Sequence, residues 1–156
     1  MSELLANVML KKATGEQVKG SVALKGKVVG LYFSASWCMP CRLFTPLLKE
    51  FYEDLDGDFE VVFVSRDQSN EEMSEYMEKS HGNWYYISWD DPIVHALKRK
   101  CRIRGVPMLV IIRPNGDVIT KDGYWDVQEK PPAKALADWK KTSYEQRIRN
   151  DFFSIV

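Results

Sequence analysis

The run Val28-Val29-Gly30-Leu31-Tyr32-Phe33 is apolar throughout, and three residues later it gives way to Trp37-Cys38-Met39-Pro40-Cys41-Arg42. A strand apolar on both faces has to be covered on both, which calls for an α/β arrangement with helices on either side of a sheet. From Met39 to Leu55 the apolar residues Leu43, Phe44, Leu47, Leu48, Phe51, Tyr52 and Leu55 recur at helical spacing. The cysteine pair therefore sits where a buried strand turns into a helix. Pro40, with φ already set, suits the opening turn, whereas Pro46 falls inside the helix and is expected to kink it.

Two cysteines separated by two residues can close a small disulfide ring on the first turn of a helix. There the free backbone N–H groups and the positive end of the helix dipole favour a thiolate. Cys38, the first and better exposed, is the expected attacking sulfur, with Cys41 as the resolving one and Trp37 laying a flat aromatic surface beside them. Half of a zinc site is an alternative, but zinc takes four ligands, and Cys101, His81 and His95 are not paired at ligand spacing. A structural disulfide is another, although so short a loop constrains little of the unfolded chain. The strand-to-helix context places a redox dithiol ahead of both.

The rest of the chain supplies the other layers. Residues 5–10 and 16–18, around Thr14-Gly15, read as paired N-terminal strands. Asp56-Gly57-Asp58 ends the helix, and Phe59 to Ser65 is a second buried strand. A helix over Glu71–Lys79 is capped by Ser69 or Asn70 and broken at His81-Gly82-Asn83. Trp84 to Trp89 reads as extended, and Asp90 or Asp91 with Pro92 opens a helix to about Lys100. Met108 to Ile112 is a third apolar strand, joined through Pro114-Asn115-Gly116-Asp117 to Val118-Ile119-Thr120 as an antiparallel hairpin. A last helix begins near Pro131-Pro132 and takes in Leu136, Trp139 and Tyr144; a short tail runs from Asp151 to Val156. With no repeat or linker, residues 1–156 are expected to form a single domain.

The Trp-Cys-x-Pro-Cys core after a buried strand resembles the thioredoxin superfamily. Cys38-Met39-Pro40-Cys41-Arg42 with Phe44-Thr45-Pro46, the run Val61 to Asp67, Trp84, and Arg104-Gly105-Val106-Pro107 resemble its tryparedoxin and nucleoredoxin branch, in particular the short nucleoredoxin-like proteins. The similarity covers roughly residues 5 to 140. It implies a thioredoxin-like fold, a central mixed β-sheet flanked by helices, and a thiol-disulfide oxidoreductase; no Gly-x-Gly-x-x-Gly motif follows a strand, so no cofactor is expected, and no metal. It also implies a cis bond before Pro107, facing the cysteines, with the Val106 backbone pairing to an extended substrate segment. Trp37, Met39, Pro40, Val106 and Pro107 are the expected substrate-binding residues, and Arg42 and Asp67 the modulating ones.

The chain departs from the family at Tyr32, where thioredoxins carry a buried carboxylate six residues before the first cysteine. A phenol is a poor base near neutral pH, so another group or water has to take the proton of Cys41, and Asp67 is a candidate. Met39 stands where thioredoxin has glycine and tryparedoxin proline, which leaves the redox potential open. Cys101 lies in a basic run, Lys98-Arg99-Lys100-Cys101-Arg102-Ile103-Arg104, and reads as a small buried side chain at a helix end. His81 and His95 are expected in surface or capping roles. Trp84, Tyr85, Tyr86 and Trp89 are expected to fill core, with one or two at the rim.

Lys+Arg and Asp+Glu balance at 22 each, so bulk charge argues against nucleic-acid and membrane partners. No apolar run reaches the length of a membrane span, and residues 1–6 lack the features of a signal peptide. Three cysteines fit a reducing compartment, so a cytoplasmic protein that also enters the nucleus is expected, as a monomer. Its expected partners are disulfide-containing proteins and an external thiol reductant. The competing reading is a non-catalytic signalling or cell-survival module acting by protein binding. A double Cys38/Cys41→Ser variant that kept its biological effect would favour that one.

Overall fold

The structure, a computed structural model, describes residues 5–113 and 115–141. Pro114, Tyr144 and the segment Asp151 to Val156 lie outside the described residues, as do residues 1–4 of the N-terminal stretch.

Two parallel strands, β3 (Val28–Ser34) and β4 (Phe59–Ser65), are buried at all seven positions and form the centre of the sheet. The helix between them, α2 (Met39–Leu55), keeps the boundaries that the apolar spacing predicts and is continuous through Pro46. Around this βαβ unit lie β1 (Met9–Lys11), β2 (Gln17–Lys19), β5 (Tyr85–Tyr86), β6 (Met108–Ile112) and β7 (Val118–Thr120). They complete a seven-stranded mixed sheet of order β2-β1-β5-β4-β3-β6-β7. The hairpins β1–β2 and β6–β7 are antiparallel, as expected.

Alternation along β3 divides the interior. Val29, Leu31 and Phe33 face a core shared with Val62, Val64, Val110 and the short α1 (Gly20–Ala23) and α4 (Ile93–Lys100). Val28 and Tyr32 face the opposite core, with Phe44, Leu48 and Phe51 of α2, Met73 and Tyr76 of α3 (Asn70–Ser80), and Trp139 in a helical stretch over 132–141. Sheet and helices thus form three layers, the α/β class predicted.

Several details differ from the sequence expectation. The extended stretch at Trp84–Trp89 contracts to the two residues of β5, because the chain turns through an Asp91 N–H to Ser88 C=O hydrogen bond of 3.0 Å just after Ile87. A helix, α5 (Gly123–Glu129), occupies a segment for which the sequence offered no clear element. Gly123 lets it lie on β6, since a Cβ there would stand 2.7 Å from the Leu109 carbonyl oxygen. Leu43 and Leu47, counted among the apolar positions of α2, are 68% and 46% exposed and continue a surface strip from Met39. Spacing of four residues (39, 43, 47) fits a face of the helix equally well whether that face meets core or solvent.

Candidate active site

Both cysteines lie where β3 ends and α2 begins. Cys38 is the N-cap residue of α2, in extended conformation, and its own Sγ accepts the Cys41 N–H at 3.2 Å. A sulfur therefore fills the place usually taken by a serine or aspartate oxygen, next to the positive end of the helix dipole. The first turn carries no acidic residue to oppose a negative charge. The two Sγ atoms are in disulfide contact, with Cα atoms 5.2 Å apart. Cys41 is fully buried and Cys38 is 6% exposed. The order of exposure is as expected, but Cys38 sits deeper than an open rim implies, packed with Ala35, Cys41 and Val106.

The Val106–Pro107 peptide is cis, and the Val106 carbonyl oxygen lies 3.6 Å from Cys38 Sγ. Trp37 is 60% exposed, and its indole N–H donates to the Arg66 carbonyl at 3.1 Å. Trp89 donates to the next carbonyl, that of Asp67, at 2.9 Å. The Trp37 indole thus ties the loop after β4 to the cysteine loop, and the Trp89 indole ties it to the segment after β5. Trp84 and Tyr85 are buried, while Trp37 and Trp89 form the rim. Met39, Pro40 and Arg42 project from the first turn into solvent. Together with Trp37 and Leu43, Met39 and Arg42 line a groove of about 660 Å³ whose far wall is Glu72, Glu75 and Tyr76 of α3.

Asp67 does not reach either sulfur. Its Oδ1 accepts the Ser36 N–H at 2.8 Å and the Ser36 hydroxyl at 2.6 Å, and its Oδ2 accepts the Ser65 hydroxyl at 2.6 Å. The carboxylate therefore braces the loop that carries Trp37 and Cys38. Its sequence position gave no hint of this, because Ser36 lies 31 residues away.

Beneath Cys41 runs a chain of buried hydroxyls that sequence reading missed. Thr45 donates to the Cys41 carbonyl at 2.9 Å, which leaves its oxygen to accept from Tyr32 and from Tyr76, each at 2.7 Å. Tyr76 in turn accepts from Ser34 at 2.7 Å. Burial, with Tyr76 alongside, pushes the Tyr32 phenol well above its usual range. Tyr32 consequently stays protonated and acts as a donor, not as a stand-in for a basic carboxylate.

His81 also departs from the surface role expected of it. It caps α3 through its N–H to Met77, but its ring packs against Phe63 and Tyr76 at 4.3 and 4.4 Å and accepts the Trp84 indole N–H at 3.2 Å. Burial pushes the imidazole down from 6.5 to about 3. The unfolded chain then binds a proton that the folded one refuses, so stability is complete above pH 6.5 and falls as the pH drops toward 3, by on the order of a few kcal/mol. Glu60 acts in the opposite sense near the carboxylate range, since burial raises its pKa. Denaturant midpoints measured from pH 7.5 to 5 should decline for the wild type and stay flatter in His81→Gln.

Cys101 is fully buried at the end of α4, and burial raises its thiol above the usual value, which keeps it protonated. His95 is exposed. Among the described residues no cluster of three or more His, Cys, Asp and Glu could hold a metal, and no helix is long and apolar enough to cross a membrane.

Comparison with known proteins agrees with this geometry. A family model described as thioredoxin-like matches residues 26–118. Probable nucleoredoxin 3 of Oryza sativa subsp. japonica is 42% identical over 104 residues, which is 64% of this chain. The chain spans only 22% of that relative's length. Among solved structures, a thioredoxin from Wuchereria bancrofti superposes with a TM-score of 0.78 at 52% identity, covering 88% of this chain and 96% of that one. Tryparedoxin II from C. fasciculata superposes at 0.77 with 31% identity, covering 86% and 93%.

Proposed function

The chain belongs to the thioredoxin-like family, and on that premise we propose that it reduces protein disulfides through Cys38 and Cys41. In the dithiol form the Cys38 thiolate attacks one sulfur of a substrate disulfide. A mixed disulfide forms and the other substrate sulfur leaves as a thiolate. Cys41 then gives up its proton and attacks Cys38 Sγ, which releases the second substrate thiolate. The chain ends with its 38–41 disulfide, and the substrate has gained two electrons. An external thiol returns the pair to the reduced form.

The observation that carries this reading is the placing of Cys38 Sγ as its own helix cap, 3.2 Å from the Cys41 amide and in disulfide contact with Cys41. The amide N–H and helix dipole that hold the sulfur also stabilise it as a thiolate and as a leaving group. No carboxylate among the described residues hydrogen-bonds to Cys41, and Tyr32 is held protonated. The substrate thiolate released in the first step is therefore the base that takes the Cys41 proton. Trp37, Met39 and Pro40 border the incoming chain, whose extended segment pairs with the Val106 backbone beside Pro107. Arg42 adds positive charge at the helix start.

Equilibration against glutathione buffers, with mass spectrometry assigning the pairing, tests this. One two-electron transition confined to Cys38 and Cys41, with Cys101 unmodified, is expected. Absence of a transition, or pairing through Cys101, would exclude the mechanism.

A further inference from the structure

The basic run at the end of α4 has no role in the chemistry above. Lys98, Arg99, Lys100, Arg102 and Arg104 form no ion pair with any carboxylate among the described residues, and neither does Arg66. Two grooves run through this region. One, of about 350 Å³, is lined by Arg66, His95 and Lys98 together with Asp67, Asp90 and Asp91, and the Trp37 indole N–H bonds to the Arg66 carbonyl. The other, of about 710 Å³, shares His95 and Lys98 and continues along Arg99, Arg102 and Arg104. His95 and Lys98 join the two into one track. It ends two residues before Val106, whose carbonyl faces Cys38.

One further feature shows that two of these cations lie close together. Burial and the Arg66 guanidinium push the Lys98 ammonium below its usual value. Arg102 takes a left-handed backbone with φ of 51° as α4 ends, while the Arg102 and Ile103 N–H groups bond back to the Arg99 and Lys98 carbonyls. Glycine fills that position at lower backbone cost, yet the chain carries Arg102 there, one of the residues lining the larger groove.

We propose that the track from Arg66 through Lys98 to Arg104 docks an acidic segment of the protein whose disulfide Cys38 attacks. Arg104 and Arg102 precede Val106 by two and four residues, so a chain paired to the Val106 backbone that continues toward α4 meets them. Several carboxylates spaced along an extended peptide match a line of cations better than a single small anion does. The groove on the other side of the cysteines is charge-balanced, with Arg42 and Lys79 standing beside Glu72 and Glu75, and Lys79 is paired to Glu75, so it offers an acidic segment no comparable line of cations. This proposal rests on the disulfide-reductase reading, whose failure the experiment below detects separately.

Two disulfide peptides, identical except for three Glu or three Lys residues on one side of the cysteine, are compared as substrates. At low salt the acidic peptide is expected to show a KM about tenfold lower with kcat unchanged, the sum of a few exposed ion pairs. That advantage should vanish at high salt and reverse in a Lys98→Glu/Arg102→Glu/Arg104→Glu variant. Equal KM values for the two peptides overturn the proposal whether or not the triple variant folds. So does a preference that survives high salt. Binding of the two reduced peptides to a Cys38→Ser/Cys41→Ser chain separates docking from turnover. If the wild type reduces neither peptide, the reductase reading falls while this binding still decides the surface. Tighter binding of single-stranded RNA than of the acidic peptide would reassign the track to nucleic acid.

Discussion

Cys38→Ser should abolish disulfide reduction, and Cys41→Ser should stop it one step later with the substrate still attached. Serine at 38 keeps the cap and the shape but removes the sulfur that bonds to the substrate. Cys101 is buried with a raised thiol and offers no second nucleophile. A loss of turnover beyond about a thousandfold is expected, as for removal of the nucleophile in other covalent mechanisms. In Cys41→Ser the first attack proceeds, but nothing on α2 can resolve it, so the mixed disulfide accumulates. Insulin-disulfide turnover measures the first effect, and a mass increase equal to the bound peptide measures the second. Equal turnover by wild type and Cys38→Ser would refute the assignment of the nucleophile.

Phe63→Ala should cost about 3–5 kcal/mol, the range for emptying a fully buried aromatic site. Phe63 is fully buried in β4, with ring centroids 4.3 Å from His81, 5.9 Å from Tyr76 and 6.2 Å from Tyr32. Against a total stability of about 5–15 kcal/mol, this is a large share. Two consequences are specific to the position. Water admitted beside His81 relieves the burial that keeps its imidazole neutral, so the decline in stability at low pH should become shallower. Loss of support under Tyr32 and Tyr76 loosens the hydroxyls that hold the Cys41 carbonyl. Urea unfolding at pH 7.5 and pH 5.5 would show the loss and its weaker pH dependence, and a loss under 1 kcal/mol at pH 7.5 would show that the site refills by collapse.

What could be read in the sequence follows from how local each signal is. The apolar run 28–33 demanded cover on both faces, and spacing along α2 carried both of its boundaries. Two cysteines separated by two residues, at the start of that helix, marked the chemistry. Ser69, Asp91 and the Asn115-Gly116 turn were equally legible, since each acts on backbone within three residues: Ser69 accepts the Glu72 N–H at 3.1 Å. Leu43 and Leu47 misled because periodicity identifies a face without saying what covers it. His81 misled because a histidine beside a glycine break looks the same whether its ring turns inward or outward.

Sequence by itself determined the layered α/β class, the strand-to-helix seat of Cys38 and Cys41, and the presence of a proline before β6. Tertiary structure alone decided that Asp67 serves Ser36, that Tyr76 and Tyr32 converge on Thr45 under Cys41, and that Arg66 and Lys98 line one groove. The reason is physical. Covalent spacing sets contacts within a turn or a pleat, whereas the Cys38–Val106 and Ser34–Tyr76 contacts join residues 68 and 42 apart, and only packing of the whole sheet brings them together.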